Sequence, residues 1–206
     1  MTYFTLAAPI LESIENLVER QTAGCPRYTL INTRGTGEPQ AESSGFRTMN
    51  RNTLAQKSGG QVYNTVYSAG FSQISTLATR DIVNRITSTL RTDPGHCFIL
   101  QGYSQGAAAT TNALPQLTGA AFDAVKGVFL LGNPQHVAGL ACNVDMEGGT
   151  RTLNVNGLSA RLGGIPANWI SKTQDVCNFV SSFTLRDAGS DDEEDLADQR
   201  LGRRSL

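Results

Sequence analysis

An α/β fold built on a mostly parallel sheet follows from three features of the 206-residue sequence. Short apolar runs rich in β-branched and aromatic residues alternate with segments of helical periodicity. Most of the 21 glycines fall between those runs, where strand-to-helix loops need them. One of the runs leads through Gly102-Tyr103-Ser104-Gln105-Gly106 directly into a small-residue helix. Strands joined through helices imply right-handed crossovers and a sheet covered on both faces.

The first strand is expected at Arg27 to Thr33, running into the turn-rich Arg34-Gly35-Thr36-Gly37-Glu38-Pro39 loop. Phe46 to Lys57 reads as a helix closed by Gly59-Gly60, and Val62 to Tyr67 as a second strand. Ile74 to Leu90 is the clearest helix, with Ile74, Leu77, Ala78, Ile82, Ile86 and Leu90 on one face. Asp93-Pro94-Gly95 ends it and starts a third strand at His96 to Gln101. Val125 to Leu131 gives a fourth strand, broken by Gly132-Asn133-Pro134, and Trp169 to Gln174 a fifth. In such sheets chemistry gathers at the carboxyl ends of the strands, where Arg34 to Pro39, Ser104 and Asn133 to His136 would emerge.

Strand, Gly-x-Ser-x-Gly and helix together are the setting of a nucleophile elbow. A sharp turn projects the serine above the sheet, and side chains in place of the two glycines would collide with the strand or the helix. Gln105 would then offer its N–H at a helix start, where free donors and the helix dipole favour an oxyanion. The bland counterpart is a Gly/Ser-rich loop without chemistry.

A net charge of −1, from 17 Lys+Arg and 18 Asp+Glu, gives no reason to expect nucleic acid or an anionic membrane as partner. No apolar stretch approaches the ~20 residues of a membrane span. Cys25, Cys97, Cys142 and Cys177 lie far apart without metal-ligand spacing, so neither zinc nor another cofactor is expected. They read as buried thiols of a cytosolic protein or as disulfides of a secreted one. Thr2 to Leu11 fits a signal and pro-segment or an ordinary amphipathic helix. From about Val180 apolar periodicity gives way to runs such as Asp191-Asp192-Glu193-Glu194-Asp195, the composition of a solvated tail. The expected organisation is therefore residues 1–24 as leader or helix, 25–179 as the domain and 180–206 as the tail.

The Arg34-Gly35-Thr36 loop followed by Gly102-Tyr103-Ser104-Gln105-Gly106 resembles the cutinase family of secreted serine esterases. Asn32 to Gln40, Gly45 to Asn50, Tyr63 to Tyr67 and Ala124 to Leu130 are similar to its fungal and yeast cutinase-like branch. The resemblance covers roughly Cys25 to Cys177. It implies an α/β-hydrolase-type three-layer sandwich without a lid, around a five-stranded sheet. Ser104 would be the nucleophile, and the Thr36 N–H and hydroxyl with the Gln105 N–H would form the oxyanion hole. Cys25 and Cys97 would form a disulfide, leaving Cys142 and Cys177 without their family partners. A secreted, monomeric hydrolase of cutin, polyester or short-chain esters is implied, with an acetyl-ester hydrolase as the nearest enzymatic rival.

The resemblance departs from the family pattern near its end. Asp175-Val176-Cys177 is either a shortened triad-acid motif, with Asp175 as the acid, or the stretch that precedes that motif. Ser171 to Cys177 matches the preceding stretch more closely, and the match then stops abruptly, as a shortened or misread end would. Beyond His136 the sequence holds no histidine. His96 lies eight residues before Ser104 along a strand, roughly 25 Å away at ~3.3 Å per residue. His136 is expected as a loop histidine bonded to nearby backbone. The activity implied is therefore an impaired one, and a non-catalytic protein that binds ester-rich surfaces is the alternative.

Overall fold

The computed structural model describes residues 24–178. The expectations for the N-terminal segment and for the acidic segment beyond residue 179 lie outside those residues. Six strands form one sheet in the order β2-β1-β3-β4-β6-β5, and every neighbouring pair is parallel. They are β1 (Tyr28–Thr33), β2 (Gly60–Asn64), β3 (Cys97–Tyr103), β4 (Val125–Leu131), β5 (Asn143–Val144) and β6 (Thr173–Val176). The helices are α1 (Arg47–Gln56), α2 (Thr76–Thr92), α3 (Gln105–Ala113) and the short α4 (Ala120–Ala124).

Period-two alternation divides the core into two layers. Ile31, Phe98, Leu100, Val128 and Leu130 face α2 and α3, where they meet Ile82, Ile86, Ala107 and Ala113. Leu30, Ile99, Phe129, Leu131 and Val176 face the other way, against Phe46 and Met49. On that second face a buried polar chain replaces part of the apolar contact. Asn32 Nδ2 donates to Gln101 Oε1 (3.1 Å), Gln101 Nε2 to Asn50 Oδ1 (2.5 Å), and Asn50 Nδ2 to Glu42 Oε1 (2.6 Å). It ties the strand before the elbow to the loop that follows β1.

Several boundaries differ from the sequence reading for physical reasons. The fifth strand is not Trp169 to Gln174. Ala167–Lys172 is a 3₁₀ segment and the strand starts at Thr173. Trp169 turns inward, stacking edge-on against Phe122 at 4.7 Å, and Lys172 Nζ caps the Phe122 and Val125 carbonyls. The sixth strand, β5, has only two residues and so no alternation to read. β2 ends at Asn64 because the next residues peel away, the Val66 N–H being taken by Asp81 Oδ2 at 2.8 Å. On α2 the buried stripe is Ala78, Thr79, Ile82 and Ile86, while Leu77 faces solvent and Ile74, expected on the helix, lies exposed before its start, as do Val66 and Phe71.

Candidate active site

Ser104 is the single residue between β3 and α3, and its backbone is left-handed (φ 51°, ψ −116°). For a residue with a Cβ such a conformation costs roughly 1–3 kcal/mol and survives only where its surroundings impose it. Here they do. A Cβ on Gly102 would sit 2.6 Å from Ala107 Cα, and one on Gly106 would sit 2.1 Å from the Thr33 carbonyl oxygen. The steric reason given for the glycines holds for Gly102 against the helix, whereas Gly106 is barred by β1, a neighbouring strand and not the elbow's own. The Ser104 N–H donates to the Leu131 carbonyl (2.8 Å), and the Ser104 carbonyl accepts from the Ala107 and Ala108 N–H groups (2.8 and 3.2 Å). Gln105 is the first residue of α3, where no intrahelical acceptor exists for its N–H.

Thr36 lies next to Gln105. Its Oγ1 is 3.4 Å from Gln105 Oε1 and accepts from Gln73 Nε2 at 3.0 Å. The loop that carries it is tied from both sides. Arg34 is buried, donating to the carbonyls of Glu38 (2.9 Å), Thr65 (3.3 Å) and Tyr67 and to Gln40 Oε1 (2.7 Å). The Tyr67 hydroxyl donates back to the Arg34 carbonyl. Burial pushes that phenol up to about 12, so it remains a donor. Glu38 Oε2 accepts the Gly35 N–H (2.6 Å), and its Oε1 accepts the Ser44 N–H and hydroxyl.

A third segment, residues 65–75, completes the wall. The Ala69 carbonyl accepts from the Gly37 N–H at 2.8 Å, and the Gly70 carbonyl from Gln105 Nε2 at 3.2 Å. Ala69, Gln73 and Ser104 are the non-glycine residues with positive φ among those described, and all three belong to this site. Backbone strain is therefore concentrated here. Glu38, Arg34, Gln73 and Tyr67 were missed as positioning residues. The local pattern Arg-Gly-Thr-Gly-Glu-Pro was the only signal for the first two, and Gln73 and Tyr67 had none.

The two histidines and Asp175 are placed apart from this constellation. His96 Nε2 is 2.8 Å from Thr29 Oγ1 and its Nδ1 3.1 Å from Asp93 Oδ2, at the start of β3. The Arg27 guanidinium, with help from His96, holds the Asp93 carboxyl well below the usual carboxylate range. His136 is fully buried. Its Nε2 donates to the Thr152 carbonyl (3.1 Å), and its Nδ1 faces Asp175 Oδ2 at 2.8 Å. Asn133 Nδ2 donates to the same carboxylate oxygen at 3.2 Å. Burial alone would lower the His136 pKa, but the Asp175 carboxylate and the Thr152 carbonyl outweigh it and hold the imidazole above its ordinary value. The expectation of a histidine bonded to backbone thus covers half of its partners. Among the described residues neither imidazole is hydrogen-bonded to Ser104, and Asp175 is turned to His136 and Asn133.

Cys25 and Cys97 are joined, with Cα atoms 5.8 Å apart, while Cys142 and Cys177 are buried thiols. Burial, with the Asp175 charge adding to it, pushes the Cys142 thiol up to about 12. Among the described residues no group of three or more His, Cys, Asp or Glu side chains is arranged to hold a metal, and no helix is long and apolar enough to cross a membrane.

An all-parallel sheet between helical layers, with a strained serine at a strand-to-helix turn, defines the α/β-hydrolase type of sandwich. The sequence model of the family described as Cutinase matches residues 24–182, and the chain belongs to that family of carboxylic-ester hydrolases. A cutinase-like protein from Cryptococcus sp. is 62% identical, with a TM-score of 0.74 over 76% of this chain and 78% of that one. Cutinase CUT1 of Pyricularia oryzae is 30% identical over 138 residues, 62% of this chain, and the chain spans 60% of its length. The catalytic core of acetyl xylan esterase from Trichoderma reesei, 22% identical, shares the fold with a TM-score of 0.63 over 86% of this chain and 97% of its own.

Proposed function

We propose that this chain is a secreted serine carboxylic-ester hydrolase that works through an acyl-enzyme. Ser104 Oγ attacks the ester carbonyl. The N–H groups of Thr36 and Gln105, with the Thr36 hydroxyl, receive the negative charge that develops on the carbonyl oxygen. Gln73 Nε2 donates to Thr36 Oγ1, and the hydroxyl proton, shared at 3.4 Å between the Gln105 and Gln73 side-chain carbonyls, turns to that oxygen when an ester binds. What carries the reading is the left-handed Ser104 between two glycines that cannot hold a Cβ, with Thr36 beside its helix start.

Water-insoluble or short-chain esters are the substrate class that fits. Val66, Phe71 and Ile74 stand 58%, 86% and 65% exposed on the segment that walls the site, an apolar rim for an ester surface. Asp175 and His136 act in this reading as a buried brace rather than as proton carriers to Ser104, so turnover is well below that of a complete triad. A fluorophosphonate probe tests the assignment. It should label the chain at Ser104 and leave Ser104→Ala unlabelled, and hydrolysis of p-nitrophenyl butyrate should disappear in the same variant. Unchanged labelling or hydrolysis in Ser104→Ala would remove Ser104 from the mechanism.

A non-hydrolytic role is the second reading, favoured by one observation: both histidines of the chain are engaged with partners other than Ser104. Binding of ester-rich surfaces without turnover, equal in the chain and in Ser104→Ala, is its signature.

A further inference from the structure

Resting on the assignment of Ser104 as nucleophile, we propose that this chain is an acyl acceptor: activated acyl donors acylate Ser104 in a single turnover, and the acyl-serine then persists. The two halves of an ester-hydrolysis cycle need different help. Among the described residues the site offers oxyanion donors to both and a proton carrier to neither. With an activated leaving group the first half forgoes one assisted proton transfer where the second forgoes two.

In the first half, a lone pair of Ser104 Oγ forms a bond to the carbonyl carbon of an aryl ester or thioester. The π pair moves to the carbonyl oxygen, beside the Thr36 and Gln105 donors. Collapse breaks the bond to the leaving group, which departs with its electron pair, and the serine proton passes to bulk water. The balance is serine hydroxyl plus acyl donor, giving acyl-serine, the aryloxide or thiolate anion and one proton. An aryloxide leaves as an anion without a proton donor, so the oxyanion donors carry most of what this step requires.

The second half is harder. Water must lose a proton as it attacks, and the Ser104 alkoxide must gain one as it leaves. Both transfers call for a group within about 2.6–3.2 Å of the moving proton. His136 has Nε2 on the Thr152 carbonyl and Nδ1 on Asp175, inside a fully buried cluster. His96 is held by Thr29 and Asp93 at the opposite end of β3. Around Ser104 the side chains of Thr36, Gln73 and Gln105 are hydroxyl or amide groups with no basic nitrogen. General acid–base assistance is worth about 10²–10⁴-fold, and here it falls away twice in deacylation. Nucleophiles stronger than water bypass part of that loss. Hydroxylamine converts acyl-serine to free serine and a hydroxamic acid, with its own proton moving to the departing serine oxygen.

The experiment uses the full chain with p-nitrophenyl butyrate, ethyl butyrate and a fluorophosphonate as probes. The expected result is a burst of p-nitrophenol near one equivalent per chain, followed by a steady rate at least ~10²-fold slower. Mass spectrometry should find a butyryl group on the peptide containing Ser104. Hydroxylamine should raise the steady rate without changing the burst, and ethyl butyrate, whose leaving group needs a proton, should give no adduct on the same timescale. Linear release from the first turnover with no adduct, in a chain that the fluorophosphonate still labels at Ser104, overturns the trapping and leaves the nucleophile intact. Equal acylation by ethyl butyrate overturns it as well. A folded, disulfide-bonded chain that neither probe modifies removes both the trapping and the nucleophile assignment.

Discussion

Asp175 Oδ2 lies 2.8 Å from His136 Nδ1, and neither side chain has any exposure to solvent. The pair clamps the loop after β4 to the middle of β6, with Asn133 and Thr152 as further anchors. Buried pairs of this kind are costly to break and cheap to replace whole, because a lone buried charge is the expensive state. His136→Leu or Asp175→Leu alone should therefore lower stability by about 3–5 kcal/mol, and the double replacement by much less than the sum. Urea unfolding of the four proteins measures the coupling, and additive losses would show that the two charges do not support one another.

The same pair sets a pH dependence. The His136 pKa is raised on folding, so its contribution to stability is complete below the unfolded value of about 6.5 and declines as pH rises through the folded value. Denaturant midpoints followed from pH 5 to 9 should fall over the upper part of that range. In His136→Gln this portion of the slope should vanish, and its persistence there would assign it to another group.

Gly106→Ala should be among the most damaging single methyl additions to the chain. The new carbon would lie 2.1 Å from the Thr33 carbonyl oxygen, so α3 would have to move off β1. Overpacking of this kind costs about 1–3 kcal/mol. Fluorophosphonate labelling at Ser104 should be lost as well, since the turn that presents the serine depends on that contact. A control methyl at Gly119, with nothing within 4 Å, meets only the penalty of its own positive φ.

How much of this was legible in advance depends on whether the signal was local. Val125 to Leu131 was bounded correctly because a run buried at every position but Lys126 leaves a clear pattern. Gly102 could be explained without coordinates, because Ala107 directly follows its motif, whereas Gly106 rests on Thr33 and Arg34, which the motif does not announce. Trp169 and Ile170 misled, since an apolar pair after Pro166 reads equally well as a strand or as an inward-facing 3₁₀ turn. Ile74 and Leu77 matched the helical stripe but lie on the exposed rim of the site. The Asp175–His136 pair and the contacts of Gln73 and Asp81 join distant segments, and no spacing in a single sequence announces them.

Asp81 should prove to act at a distance. It accepts from the Tyr63 hydroxyl (3.1 and 3.0 Å) and from the Val66 N–H, fixing the start of the segment that supplies Gly70 and Gln73 to the site. Asp81→Ala should slow acylation of Ser104 by p-nitrophenyl butyrate roughly 10-fold, while Asp81→Asn, which keeps an acceptor oxygen, recovers most of it. Equal loss in both variants would point to general destabilisation.

Removing the Cys25–Cys97 bridge by paired Cys→Ser replacement should cost about 4 kcal/mol, the loop-closure value for a separation of 72 residues. For a domain of this size that corresponds to a drop in Tm of roughly 8–16 °C. A thermal melt unchanged by the replacement would mean that the denatured chain is already compact around these two positions.

The strand order places β3 against β1, so that Asn32 meets Gln101 from 69 positions away. Gly106 in turn rests on the carbonyls of Thr33 and Arg34 at the end of β1. The reactive turn is therefore not a structure that its own segment can build. Pairings this remote in sequence are formed slowly and only after the loop between them has closed. A nascent or partly refolded chain would carry Ser104 as an ordinary, unreactive serine. Reactivity toward an acyl donor would arise only when β1, β3 and α3 have docked, so the appearance of a labelled serine is a clock for the completion of this sheet.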